Sequence, residues 1–202
     1  MTAGHRGAEL MRWYNDLVIR VSQSASLWIM STVFAFGSLY FVFLNINVPF
    51  EAIVGAQMFD FQNQLTVEQI FAQLPNYDEH ARALYTAFMF IDFYFPFFAG
   101  LVMAAATAFA LRHLSPGFYE NLNDKKLFAA FLIPTLFDWG ENISAIITVG
   151  AYPEELTAAA TALVLCKKGK LATVMLFQAI AFLSLIAAAL KWLGTKMGLS
   201  SQ

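Results

Sequence analysis

The sequence predicts an all-α integral membrane fold, an antiparallel bundle of four transmembrane helices with short amphipathic interfacial helices, on three observations. The 202 residues are 59% hydrophobic and 16% aromatic but only 13% charged, against roughly 25% charge in soluble domains. Four stretches, Ala25 to Val48, Leu84 to Leu111, Leu127 to Gly150 and Leu171 to Leu190, meet the need for about 20 mostly apolar residues per spanning helix. No strand-like alternation accompanies them, and they far exceed the roughly 9–11 residues of a barrel strand, so helices must satisfy the backbone in lipid. A single membrane domain over residues 1–202 is expected.

Residues 8–22 place Leu10, Trp13, Leu17 and Val21 on one helical face with Arg12, Asp16 and Arg20 elsewhere, the pattern of an interfacial helix suited to anionic lipid. The same pattern fits a helix packed on the bundle. The mostly polar residues 1–24 and the length of the first apolar run argue for a retained signal anchor rather than a cleaved signal peptide.

Residues 49–81, an external cap in this reading, are too long for a bare turn and carry short elements. Phe50, Ile53, Val54, Met58 and Phe61 recur at helical spacing, Thr66 is placed to cap a helix over Val67 to Leu74, and Pro75 and Asn76 mark a turn. Ser115, Pro116 and Gly117 give a tight turn that makes the second and third spans antiparallel neighbours. Pro153 is expected to start a separate short helix over Glu154 to Cys166, ahead of the fourth span.

Lys and Arg collect on cytoplasmic flanks. With the N-terminus inside, Arg6, Arg12, Arg20, Arg112, Lys125, Lys126, Lys191 and Lys196 are internal, against Arg82, Lys167, Lys168 and Lys170 outside. A plasma (inner) membrane protein with both termini cytoplasmic is expected.

Against this apolar background Asp92, Asp138 and Glu141 stand out. A charge at the bilayer centre costs about 2.5–3.5 kcal/mol on insertion scales, so such residues face protein or a polar pocket and mark function by default. Asp92, Pro96, Gly100, Ala104 and Ala108 share one stripe, and the small residues on it admit a neighbouring helix. Pro96 has no N–H for the Asp92 carbonyl, which predicts a kink there. Asp138 and Glu141, three apart, share a face with Asn142. At ~1.5 Å per residue, Asp92 and Glu141 lie roughly 12 Å from the external ends and Gln178 about 10 Å, with Ser38 or Tyr40 at similar depth. All four helices then contribute to one polar layer, and Tyr94 is placed to donate a hydrogen bond to it.

No Lys, Arg or His falls in the core of these spans, so the acids need neutralising by shared protons, by a bound hard cation on oxygen ligands, or by Lys167 or Lys168 snorkelling from the edge of the fourth span. Binding of a proton, a cation or a polar lipid headgroup is the leading reading, and transport a natural setting for it. The competing one is that Asp, Glu, Asn and Gln hydrogen-bond across helices, at about 0.6 kcal/mol each, and only fix packing in a scaffold subunit of a larger membrane complex or a homo-oligomer. An intramembrane acid–base enzyme acting on lipid is the third, although no nucleophile or metal triad accompanies the acids and no catalytic residue or cofactor is indicated.

Other features point away from chemistry. His5, His80 and His113 form no metal-binding pair, and the lone Cys166 excludes an internal disulfide and a cysteine-cluster metal site. Trp28, Tyr40, Tyr85, Tyr152 and Trp192 fit an interfacial belt, and Lys167 to Lys170 fit a headgroup anchor. A net charge of −2 supplies no nucleic-acid surface.

Overall fold

A computed structural model describes residues 3–197; the remaining ends of the expected 1–202 domain, and the Arg6 side chain counted in the charge bias, lie outside the described residues. The described residues are helical, with no strand among them. Three stretches are long and apolar enough to cross a membrane: Ala25–Val54, Glu79–Leu114 and Thr157–Lys196. The chain divides into two compact units, residues 1–32, 99–132 and 174–202 in the first, and residues 33–98 and 133–173 in the second.

In the first unit, helix α1 (Ala3–Gln23) packs against a 3₁₀ segment at Leu127–Leu132. Its buried side is Tyr14, Asn15, Val18 and Val21, while Leu10 and Trp13 are exposed. Of the face read from Leu10, Trp13, Leu17 and Val21, Val21 packs on protein while Leu10 and Trp13 stay uncovered. Two polar residues, Tyr14 and Asn15, turn inward, and Asn15 Nδ2 donates to Asn123 Oδ1 at 2.8 Å. Helix α2 (Ala25–Val42) follows one residue later.

The second unit holds Asp92, Asp138 and Glu141. After α2 the chain widens through a π-helical turn at Phe43–Asn47 and runs straight into α3 (Val48–Val54). Pro49 does not end the first span as expected. It occupies the first turn of α3, where a missing N–H costs no hydrogen bond. Gly55 stops α3 with φ +76°, the left-handed position that glycine adopts freely. The chain then makes a 3₁₀ turn at Phe59–Phe61 and helix α4 (Val67–Gln73). The expected Thr66 cap is present as a reciprocal box with Gln69.

Helix α5 (Glu79–Asp92) is capped by Asp78, whose Oδ1 accepts from Ala81 N at 2.7 Å. It breaks at Phe93 and Tyr94, where Pro96 predicts a kink, and α6 (Phe95–Leu114) continues. Ser115 to Gly117 are not a free turn: Pro116 starts α7 (Pro116–Asp124). The third expected span begins with the 3₁₀ segment Leu127–Leu132 and becomes α-helical only over α8 (Ile133–Ala151). The separate helix expected over Glu154 to Cys166 does not exist. Helix α9 runs unbroken over Thr157–Lys196, because nothing in Lys167-Lys168-Gly169-Lys170 forbids a helix once the lysines are paired.

The core of the second unit is aromatic. Phe50, Phe59, Tyr77 and Tyr85 pack ring to ring at 5.1–6.0 Å between centroids, with Ile70, Leu74 and Leu163 around them. Residues 49–81 thus build a folded layer. Tyr85, expected in an interfacial belt, is buried in it.

Helix α8 is inside out by the standard of a water-soluble protein. Thr135, Asp138, Glu141, Asn142 and Thr148 are buried, whereas Leu136 and Ile143 are 56% and 52% exposed and Ile146 and Ile147 nearly as much. The same helix meets α9 closely. A Cβ built on Gly140 would stand 2.8 Å from Cys166 Sγ, and one on Gly169 2.5 Å from Phe137 Cε1. Gly169→Ala is therefore expected to destabilise the fold by about 1–3 kcal/mol, read as a lower thermal unfolding temperature. Gly194→Ala, with nothing within 4 Å of its Cβ, is the control and should be neutral or slightly stabilising.

Candidate functional site

Four segments of the second unit bring charge to one place. Asp92 ends α5 just before the break. Helix α8 anchors that break from the side: Trp139 Nε1 donates to the Phe93 carbonyl at 2.9 Å and Thr135 Oγ1 to the Pro96 carbonyl at 3.2 Å. Asn142, one turn further along α8, donates from Nδ2 to Asp92 Oδ2 at 3.0 Å and to Asp138 Oδ2 at 3.2 Å. The three acids singled out from sequence and Asn142 therefore do converge, and all are buried.

Their counter-charges come from α9. Lys167 Nζ is 3.0 Å from Glu141 Oε1 and donates to the Asp60 carbonyl at 2.9 Å. Lys170 Nζ is 2.9 Å from Asp138 Oδ1 and 3.1 Å from Asp60 Oδ1, and it also meets Glu141 Oε2. Three carboxylates share one ammonium, which donates a hydrogen bond to Asp60 Oδ1. The pairing is the one antiparallel neighbours impose, since Asp138 and Glu141 are three apart on α8 and Lys167 and Lys170 three apart on α9, the later acid meeting the earlier base. Close approach at Gly140 and Gly169 makes the reach possible.

Asp60 completes the group from the 3₁₀ turn between two phenylalanines, its side chain 6% exposed. A polar clamp holds that segment. Gln62 Nε2 donates to Gln73 Oε1 at 2.7 Å, and Gln73 Nε2 donates to the Gln57 carbonyl at 3.0 Å and to Tyr77 Oη at 3.1 Å. Burial pushes the Tyr77 phenol well above its ordinary range, so it stays a neutral partner in the clamp. One oxygen each from Asp60, Asp92 and Asp138 lies within 4.8 Å of the other two.

Four carboxylates thus face two ammonium groups. Asp92 is the one acid of the four with no ammonium contact among the described residues. Fully ionised, the group is two positive charges short of neutrality. In a low-dielectric interior such a deficit is costly, and protons or a cation are the species small enough to cancel it.

Several sequence expectations are corrected here. Tyr94 does not reach the acids: two residues beyond Asp92 it points elsewhere, is half exposed and meets Phe90 edge to face at 5.8 Å. Gln178 belongs to the first unit, eight residues past Lys170, or about 12 Å further along the helix. Ser38 donates back to the Phe34 carbonyl at 2.6 Å and Tyr40 is exposed, so α2 gives nothing to this layer. Of Lys167 and Lys168, the two lysines considered as partners for the acids, Lys167 is paired with Glu141, and Lys170 joins it. Lys167 and Lys170 are paired residues rather than headgroup anchors, and Lys168 is the exposed one. Asp60 was not singled out, and its one sequence signal is an acid set between Phe59 and Phe61 in a segment of helical apolar spacing.

The arrangement defines an all-helical protein with three helices apolar enough to cross a membrane and a buried centre of four acids and two lysines. The chain matches no protein-family model, no curated protein and no solved structure.

Proposed function

We propose that this chain is a four-span integral membrane protein whose buried acid–lysine centre binds protons or a small cation. The membrane reading draws on how little of the three apolar helices is covered by protein: 17%, 28% and 11% of their most apolar windows are buried. Such apolar exposure suits lipid rather than water. Helix α8 is the fourth span in this reading, its polar face turned in and its isoleucines turned out. The charge bias supports cytoplasmic termini more strongly than sequence alone did. Lys167 and Lys170 are occupied in the centre, which leaves Arg82 and Lys168 as the external basic residues.

The observation that carries the functional reading is the mismatch of four enclosed carboxylates with two ammonium groups. A purely structural network would be expected to balance its charges, since an uncompensated buried ion is strongly destabilising. Enclosure also favours a small ligand over a lipid headgroup, because Asp138, Glu141 and Asn142 are at most 3% exposed.

The test is proton uptake and thermal stability of the purified protein across pH and added salts, for the wild type and for Asp92→Asn. Asp92 touches Asn142 and no lysine, so the variant is expected to fold. Wild type should take up protons on acidification, or gain stability from cations, in a manner that Asp92→Asn blunts. Identical responses in both proteins would remove the reading.

A further inference from the structure

We infer that Asp60, Asp92 and Asp138 form the site of a single hard divalent cation of about calcium's size, with the side-chain oxygen of Asn142 as a fourth ligand. This rests on the reading of the centre as a proton or cation site and assigns it a ligand class.

The lysines leave room for such an ion. Lys170 takes Oδ1 of Asp60 and Oδ1 of Asp138, and no ammonium touches Asp60 Oδ2, Asp138 Oδ2 or either oxygen of Asp92 among the described residues. Three of the oxygens in this neighbourhood also lack any hydrogen-bond partner although they are buried. They are Asp60 Oδ2, Asn142 Oδ1 and Glu141 Oε2, of which Glu141 Oε2 has the Lys170 ammonium beside it and the other two have no ammonium contact. An orphaned buried acceptor is costly, and only a donor or a cation relieves it. Asn142 is fully buried, and its amide bridges Asp92 and Asp138. A half-turn of that amide puts Oδ1 where Nδ2 stands, which converts a donor between two carboxylates into a ligand beside them.

Size and charge narrow the ligand. Calcium takes oxygen ligands at about 2.3–2.6 Å, so ligands on opposite sides are separated by up to roughly 4.6–5.2 Å, whereas magnesium at about 2.0–2.1 Å draws them to about 4.2 Å or less. The three aspartate oxygens lie within 4.8 Å of one another, which the shell of either ion accommodates, but the cluster is buried among protein groups, and calcium accepts such a cage of protein oxygens where magnesium gives up its water reluctantly. One divalent ion also cancels the deficit of two charges that a single monovalent ion leaves half filled. The cluster consists of carboxylates alone, which disfavours zinc and copper.

The experiment is calorimetric titration of calcium chloride, and separately of magnesium chloride, into the full-length protein in detergent. Buffers of different ionisation enthalpy count the protons released. Calcium should bind one ion per chain with loss of protons, more tightly than magnesium. Asp92→Asn and Asp60→Asn should weaken it by at least about tenfold. Glu68→Gln, at an exposed acid of α4, should leave it unchanged. If Asp60→Asn fails to fold, Asp92→Asn carries the test alone. Absence of a one-to-one calcium site, or equal affinity in wild type and Asp92→Asn, overturns the inference. Should proton uptake that depends on Asp92 persist without calcium binding, the ligand assignment falls and the proton-binding centre stands. Loss of both removes both.

Discussion

Replacing Lys170 with methionine is expected to destabilise the protein by about 3–5 kcal/mol, the range for removing one partner from a buried ion pair. The change keeps the length and apolar stem of the side chain and deletes only the charge. It strands Asp60 and Asp138, takes one of the two ammonium partners of Glu141, and leaves four acids facing Lys167 alone. For a chain of this size about 1 kcal/mol corresponds to roughly 2–4 °C, so the unfolding temperature should fall on the order of ten degrees. The effect should be non-additive. Adding Asp138→Asn to Lys170→Met removes one stranded acid and should recover part of the loss, and a double-mutant cycle reads the coupling directly. Full additivity would mean that the two side chains do not interact in the folded protein.

Glu141→Gln should have an effect of similar size for the opposite reason, since it leaves a buried base without its acid. Lys167 is 2% exposed and its remaining partner is the Asp60 carbonyl, too weak an acceptor to hold a desolvated ammonium. The amide that replaces the carboxylate keeps the shape and loses the charge. Here the compensating variant is Glu141→Leu with Lys167→Met, because replacing a buried pair by apolar residues of similar volume is often neutral or stabilising. Thermal unfolding of the single and double variants checks this. Near-wild-type stability in the double variant, together with retained proton or cation binding, separates Glu141 and Lys167 as the frame of the centre from the aspartates as its binding face.

Which parts of this were legible in the sequence follows from what periodicity encodes. The apolar runs give helices, because length and composition suffice for that, and the i, i+3 and i, i+4 spacing places Asp138, Glu141 and Asn142 on one side of α8. Pro96 marks the break beside Asp92 through its missing N–H. Depth along an axis, counted in residues, fixes height but not direction. That is why Tyr94 and Gln178 were assigned to a layer they do not join, and why Ser38 and Tyr40 of α2 stay outside it. The lysines are a different matter. A run of three bases reads as a helix end at the headgroups, which starts the fourth span after it and leaves Lys167 or Lys168 a snorkelling reach to the acids and Lys170 none. The matching three-residue spacing of Asp138 with Glu141 and of Lys167 with Lys170 was the signal that could have paired them. Asp60 was out of reach of such arguments, because only the tertiary clamp through Gln62, Gln73 and the Gln57 carbonyl carries its turn to the centre.

The most direct measurement is the infrared difference spectrum of the purified protein on addition of calcium, recorded for the wild type and for Asp92→Asn. In the proposed account, a centre two charges short holds protons until a cation replaces them. The wild type should therefore lose a carbonyl stretch from protonated carboxyl groups and gain carboxylate absorption as calcium binds, and Asp92→Asn should show this change much reduced. A wild-type spectrum with no protonated-carboxyl band before calcium and no carboxylate change after it would contradict the account.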